Sequence, residues 1–212
     1  MTELMIGLLI VVLVALVAVI GMLVQTFLSS VTEVRSPTPT VGDLNKAKGR
    51  AGEAEVTRIL QQLPSEDYEL FTTVILPKQP DRSRVEMDHV VLSRFGVFVI
   101  ETKRWGGRVT GGEEGTWLQT IGRSFHSHAN PFAQNERQVR RLRQHLDIAS
   151  SAIRGIVCFV GDTELDPTVP ANIVRGARLL AYLADFQTEK LNDEGIEHCR
   201  EQLRVLARSH PT

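Results

Sequence analysis

Residues 87–103 read MDHVVLSRFGVFVIETK, two runs of β-branched and apolar residues split by S-R-F-G, and the fold turns on how they pair. Val, Ile and Phe at this density favour pleated backbone, and a short turn ending at Gly96 lets the second run fold back on the first. We expect an antiparallel hairpin with strands at 85–92 and 97–103. A turn centred between Arg94 and Phe95 sets Asp88 opposite Glu101 and Glu86 opposite Lys103. Because side chains alternate along a strand, Val97, Val99, Glu101 and Lys103 share one face with Asp88, Val90 and Leu92 of the partner. An apolar surface therefore ends in two carboxylates and a lysine. Opposed side chains stand about 5 Å apart at Cβ, and like charges there are destabilising, so the pair calls for a cation. Two readings stay open. Asp88 and Glu101 hold an oxygen-ligated divalent metal with Lys103 as charged helper, or Glu86 and Lys103 form a plain cross-strand ion pair and Glu101 merely ends its strand.

Upstream, a strand at 68–76 is stopped by Pro77 and followed by a loop at 78–84. Before it, Val56, Ile59, Leu60 and Leu63 fall on one face of a helix at 52–63. Glu53 turns toward that face; as a first-turn acid it also meets the helix dipole favourably, by about 0.3–1 kcal/mol, and both roles are open. Downstream, 108–110 and 116–120 suggest a small hairpin around a glycine-rich tip. Asn130-Pro131 is a strong helix start, with Asn as cap and Pro at the first helical position, and the helix runs to about 149. Its stretch 134–145, QNERQVRRLRQH, carries four arginines against one glutamate, either a phosphate-binding row or a solvated face. A continuously apolar strand at 155–160 follows, then a less regular segment and a last helix at 192–208.

Residues 4–24, LMIGLLIVVLVALVAVIGMLV, hold no charge and reach the roughly 20 helical residues that cross a bilayer core. A cleaved signal would have a shorter apolar stretch, a basic start and an A-x-A site; here Glu3 is the only charge before the run. An uncleaved single-pass anchor is expected. No Lys or Arg precedes it, while Arg35, Lys46, Lys48 and Arg50 follow, which puts the N-terminus outside and the C-terminal domain in the cytoplasm. Between them, 25–45 is polar and contains Pro37 and Pro39, which favour an extended tether.

The net charge of −1, from 24 Lys and Arg against 25 Asp and Glu in 212 residues, does not advertise a polyanion partner by its total. A hydrophobic share of 42% excludes disordered and collagen-like classes, and Cys158 and Cys199, far apart, exclude a disulfide framework and read as reduced thiols. His126 and His128 have no nearby acid or cysteine at zinc spacing. Trp105 and Trp117, beside glycine-rich turns, are expected to cover a sheet end rather than stack bases. Cys158 reads as a core residue. Gly106, Gly107, Gly111 and Gly112 lack a following G-K-S or G-K-T and read as hairpin turns, not a phosphate loop.

GRAGE at 49–53, MDHVV at 87–91, GVFVIETK at 96–103, Trp117 after its glycine-rich hairpin and NPFAQ at 130–134 together resemble the NERD, or nuclease-related, domain, in order from about Lys48 to Val160. The resemblance implies the α/β fold of the PD-(D/E)xK nucleases, a restriction-endonuclease-like central mixed β-sheet flanked by helices, here preceded by one N-terminal transmembrane helix. It implies that Glu53, Asp88, Glu101 and Lys103 correspond to the helix acid and to the D, E and K of that signature, with Met87 where the signature has proline. Asp88, Glu101 and the Thr102 carbonyl would then hold Mg²⁺ or Mn²⁺. Lys103 would orient the attacking water or offset phosphate charge, and Glu53 would bind through water or assist a second metal. Gln134 would position the site or touch substrate, and Arg137, Arg140, Arg141 and Arg143 would meet phosphates.

The expected organisation is a transmembrane helix at 4–24, a linker at 25–45, a nuclease-like core at 46–165 and a C-terminal extension at 166–212 packing on the same domain. The expected function is a membrane-anchored, metal-dependent nuclease acting on DNA, with RNA as a further substrate class. The alternatives are a non-catalytic nucleic-acid-binding module and a tethered scaffold for protein or anionic lipid.

Overall fold

The computed structural model describes residues 2–32, 40–77 and 84–208, and the chain divides between Asp43 and Leu44 into two compact units. The first contains α1 (Thr2–Thr32). Within it Ile6–Phe27, 22 residues of mean hydropathy 3.2, is long and apolar enough to cross a membrane and is not buried against the rest of the described chain. A helix apolar all round needs a core or a lipid phase about it. It runs past the expected end at 24, so the tether's first residues are helical; Pro37 and Pro39 lie outside the described residues.

Helix α2 (Val41–Leu60) starts well before the expected 52. Thr40 is the reason. Its Oγ1 accepts the Asp43 N–H at 3.2 Å and the Asp43 carboxylate accepts the Thr40 N–H at 3.0 Å, a reciprocal cap of the Thr-x-x-acid kind. The end of the expected extended linker is therefore helix.

Beyond α2 come β1 (Tyr68–Leu76), β2 (Val85–Ser93), β3 (Gly96–Lys103), β4 (Gly107–Thr110), β5 (Trp117–Ile121) and β6 (Ser124–His128). They are followed by α3 (Pro131–Leu146), β7 (Ile153–Phe159), β8 (Thr163–Leu165), β9 (Ile173–Arg175), α4 (Gly176–Ala184) and α5 (Asp193–Arg208). Most of the expected loop at 78–84 lies outside the described residues. The architecture is mixed α/β with two mixed sheets. One is five-stranded, ordered β1-β2-β3-β7-β9; the other is four-stranded, β6-β5-β4-β8. In the first, β1, β2 and β3 run antiparallel while β7 and β9 add in parallel.

The β2–β3 hairpin adopts the expected register from Ser93↔Gly96 to His89↔Ile100. There the ladder stops, one step short of Asp88 and Glu101, which corrects the expectation that these two form a regular rung. The strands splay because β3 continues against β7 up to Lys103↔Phe159, while β2 stays with β1, where Glu86 pairs with Ile75.

Helices cover both faces of the larger sheet. Val90, Leu92, Val97 and Val99 bury against Val139, Leu142 and Leu146 of α3 and Cys199, Leu203 and Leu206 of α5. On the other face Val91, Phe98 and Ile100 meet Val56 and Leu60 of α2 and Leu179 and Leu183 of α4. Two glycines set how closely helices approach. At Gly155 an added Cβ would stand 2.1 Å from Asn135 Oδ1, so α3 lies tight on β7. At Gly52 it would stand 3.1 Å from Arg104 Cβ and 3.4 Å from Thr102 Cγ2, so α2 presses on the end of β3 and carries the adjacent Glu53 there. Arg200 and Arg204 of α5 grip Glu69 of β1 at 2.6 and 3.0 Å.

The smaller sheet contains the expected hairpin as β4 and β5 but adds β6 and β8. It packs on the end of β7 through Val109, Trp117 and Phe159. Trp117 stacks on Phe159 at 5.9 Å, and the half-buried Trp105 meets the same ring edge-on, the packing role expected for both.

Candidate functional site

The end of β3 collects the polar groups. Glu101 is 4% exposed, and both its oxygens are engaged. Lys103 Nζ donates to Oε1 at 2.6 Å and Gln134 Nε2 to the same atom at 2.7 Å, while Gln138 Nε2 donates to Oε2 at 2.6 Å. Gln134 Oε1 in turn accepts from Lys103 Nζ at 3.2 Å. Gln134 and Gln138 stand one helical turn apart on α3, so their amides reach the same carboxylate. The helix is positioned by its start: Asn130 Oδ1 accepts the Ala133 N–H at 3.0 Å and Pro131 opens the first turn. Asn135 fixes it to the sheet, donating to the Val99 carbonyl at 3.1 Å.

Asp88 sits beside this group. Where the ladder stops, the Thr102 N–H is left without a strand partner, and Asp88 Oδ2 accepts it at 2.7 Å. The carboxyl is pushed up to about 7, first by burial and next by the Glu101 charge, against the opposing Thr102 N–H and Lys103. Glu53 on α2 belongs to the same field: burial first, then Glu86 and Glu101, raise its proton affinity, while Arg50 and Lys103 lower it. On the opposite face of β2, buried His89 lies 2.8 Å from Thr57 Oγ1 through Nε2, and Thr57 donates to the Glu53 carbonyl at 2.9 Å. The hydroxyl proton is thus committed, so Nε2 is the donor of the imidazole. Burial holds that imidazole down to about 4.

Of the residues singled out from the sequence, Glu101, Lys103 and Gln134 are joined by direct bonds, Asp88 and Thr102 by another, and Glu53 by its field. The cross-strand pair of Glu86 with Lys103 does not form: Lys103 is held by Glu101 on its own strand, because β2 has already diverged. Arg137 and Arg140 lie exposed and Arg141 and Arg143 half-buried, and Arg143 donates to Ser150 Oγ at 2.7 Å. At 1.5 Å per residue these four lie roughly 4–14 Å along the helix from Gln134. Gln138 and Asn135 were missed. Both occupy the stripe of α3 that also carries Val139, Leu142 and Leu146, and a polar residue on a buried stripe signals a partner inside.

Among the described residues, no three His, Cys, Asp or Glu side chains are gathered to hold a metal. A site here would draw on two carboxylates, Asp88 and Glu101, and on backbone. The residue whose N–H meets Asp88 directs its C=O to the same edge of the strand, which brings in the Thr102 carbonyl. Mg²⁺ is commonly held by one or two carboxylates and keeps several waters. The raised proton affinity of Asp88 comes first from burial and next from the Glu101 charge, which Lys103 only partly balances, and a bound cation would offset both. The donor set fits such an ion.

A family model described as the nuclease-related domain matches residues 48–160, the span that holds Glu53, all of β1 to β6, α3 and β7. An uncharacterized protein of Bacillus anthracis is 37% identical over 99 residues, 46% of this chain and 46% of that protein. The probable kinase PglW of Streptomyces coelicolor is 31% identical over 113 residues, 51% of this chain and 7% of that protein. The chain thus spans about half the length of the first relative and a small part of the second. No solved structure matches it.

Proposed function

The chain belongs to the nuclease-related domain family, and from that premise we propose a membrane-anchored nuclease of the PD-(D/E)xK type, restriction-endonuclease-like in its larger sheet, that hydrolyses phosphodiester bonds in DNA with a divalent metal. The observation that carries this reading is the meeting of Asp88, Glu101 and Lys103 at one strand end, with the Asp88 carboxyl pushed up to about 7. Asp88, Glu101 and the Thr102 carbonyl would hold Mg²⁺ or Mn²⁺, which when bound supplies Lewis-acid activation of the phosphate and lowers the pKa of a water.

The chain's own groups do the rest. The Lys103 ammonium balances charge that grows on the phosphate oxygens in the transition state. Gln134 grips both Lys103 and Glu101 and so fixes the angle between them, while Gln138 holds the far oxygen of Glu101. Glu53 reaches the same field from α2 and would orient a water. Arg137, Arg140, Arg141 and Arg143 extend along α3 toward phosphates away from the chemistry. Helix α1 would anchor the domain with its N-terminus outside, leaving the site in the cytoplasm with DNA in reach.

One observation favours a second reading, a binding module that does not cut: both Glu101 oxygens already have donors, as a purely structural carboxylate would. The test is to incubate the full chain in detergent micelles with linear, circular, single-stranded and branched DNA, with and without Mg²⁺ or Mn²⁺. Metal-dependent cleavage is expected, lost in Asp88→Asn, Glu101→Gln and Lys103→Ala with binding retained. Binding without cleavage by the wild type supports the second reading. Cleavage surviving in Asp88→Asn moves the active site elsewhere.

A further inference from the structure

We propose that the nucleic-acid backbone approaches this site across the face between the first half of α2 and the β5–β6 hairpin, its phosphates met by Lys48 and Arg50 on one side and by His126, on the strand that His128 fixes in place, on the other. The inference rests on the reading of the site as a nuclease centre, and it adds, to the α3 arginines that serve phosphates farther off, a track for the phosphates next to the chemistry.

Three observations lead there. The first is the position of α2. Its contact at Gly52 presses it on Thr102 and Arg104, and the Glu53 carboxylate lies back toward Gly49, 3.9 Å from where a Cβ would stand. The turn bearing Lys48 and Arg50 therefore flanks the carboxylates. Residues 41–51 of this helix are exposed throughout. Among the described residues, no carboxylate lies within ion-pair distance of Lys48 or Arg50. An unpacked run of helix this short gains little from its own propensity and owes its order to the packed half beyond Gly52. It presents positive charge beside the site that no contact ion pair ties up, with Glu53 its nearest electrostatic partner.

The second observation is the opposite wall. His128 stacks on Trp105 at 4.0 Å, two residues along the chain from Lys103. Its Nε2 is 2.8 Å from Gln119 Oε1, and Gln119 donates to the Gly106 carbonyl at 2.7 Å. A ring so held is aimed, not free. His126 lies two residues earlier on the same side of edge strand β6. Burial first, then the charges of His126, Lys103 and Lys48, lower the proton affinity of His128. Basic groups from α2 and β3 thus converge on a place walled by the β6 imidazoles, with the carboxylates of Asp88, Glu101 and Glu53 next to it. That is the pattern a phosphodiester needs: cations on one side of its track, a polar wall on the other and acids at the metal.

The third observation is what α3 offers instead. The groove beside Arg137 and Arg140 is lined by Glu113, Glu114 and Glu136 as well, which cancels much of the arginines' field. A lipid surface would engage the exposed lysines of α2 alone, whereas a polymer strand running past the carboxylates would also meet His126 on β6.

The experiment measures binding of fluorescein-labelled duplex and single-stranded DNA by the full chain in detergent micelles, in chelator, across a salt series. Lys48→Gln with Arg50→Gln is expected to weaken binding at least tenfold at about 0.1 M salt and to reduce the slope of log K against log salt by about 2. His126→Glu, from the other wall, should weaken binding comparably, and Arg58→Gln, exposed at the far end of α2, should leave the slope unchanged. Unaltered melting temperatures show that the variants fold. Undiminished binding in both the α2 and the β6 variants overturns the proposal while leaving the nuclease reading intact. A wild type that binds no DNA rejects that reading and the route with it. Variants that lose binding to phosphatidylserine vesicles but not to DNA also overturn the route, in favour of a lipid contact.

Discussion

Replacing Asp88 with asparagine should make the metal-free protein more stable at neutral pH. Burial and the Glu101 charge hold the Asp88 carboxyl at about 7 in the fold, against 3.8 for an ordinary aspartate. The folded state thus binds the proton more tightly than the unfolded chain, and ionisation opposes folding. The penalty is absent below the unfolded value, grows as pH rises between the two, and is complete above about 7. At about 1.36 kcal/mol per pKa unit the full shift amounts to about 4 kcal/mol; solvent reaching the partly buried group trims it to roughly 2–4 kcal/mol. The amide oxygen of the asparagine would still accept from the Thr102 N–H, so that bond survives. For a chain of this size roughly 2–4 °C accompanies each kcal/mol, and Asp88→Asn should melt roughly 5–10 °C above the wild type at pH 8 in chelator. The gap should fall to less than half by about pH 5, where the wild-type carboxyl is largely protonated. Trp105 and Trp117, the only two tryptophans, both sit at the smaller sheet, so their fluorescence reports its melting against the site-bearing strands. Mg²⁺ should reverse the order, adding about 2.7 kcal/mol to the wild type at a hundredfold excess over Kd and little to the variant. Equal melting of the two proteins across pH 5–8, with no response to Mg²⁺, would refute both the uncompensated carboxylate pair and the metal site built on it.

Gln138→Leu removes the donor to Glu101 Oε2 and to the Glu86 carbonyl, leaving a buried charged oxygen unsatisfied; a loss of roughly 1–3 kcal/mol is expected by denaturant titration. Gly155→Ala forces a methyl within 2.1 Å of Asn135 Oδ1 and should lift α3 from the sheet, costing about 1–3 kcal/mol or more and loosening the grip of Gln134 on Glu101. In intact cells, a cysteine introduced at position 2 should react with an impermeant thiol reagent, while one at position 36 should react only after the membrane is opened; the reverse pattern would turn the domain outward.

Much of the frame was legible because the residues that build it are apolar and punctuated. The three strands from Tyr68 to Lys103 are rich in β-branched residues and end at Pro77 or at the S-R-F-G turn, so their extent followed from pattern alone, as did the register of β2 on β3 from Ser93↔Gly96 to His89↔Ile100. Asn130-Pro131 fixed where α3 begins. What escaped lacks such a pattern. Strand β6, S-F-H-S-H, has one large apolar residue and that one, Phe125, is 74% exposed; its pairing with β5 makes it a strand. Strands β8 and β9 span three residues each, too few for a period to show. The first half of α2 carries only Val41, Leu44 and Ala47 as apolar side chains and leaves them exposed, so little but the cap at Thr40 betrays it. At the site, the partner of Lys103 hinged on where the β2–β3 ladder stops, which depends on β7, a strand the hairpin's own sequence does not mention.

That dependence on β7 also sets an order of events as the chain is made. Until β7 pairs from Val97↔Ile153 to Lys103↔Phe159, β3 is an edge strand whose G-V-F-V-I-E run offers open backbone to any neighbour. The ribosome must add some fifty further residues before Ile153 emerges, which takes roughly 3–10 s at ordinary elongation rates. Closure of so distant a parallel pair is the slow kind of contact, and Glu101 meets Gln134 and Gln138 only when α3, made in the same interval, swings over. Lesions in β7 or α3 should therefore surface first as nascent chains that aggregate through β3, and only in the survivors as a disordered carboxylate cluster at the end of β3.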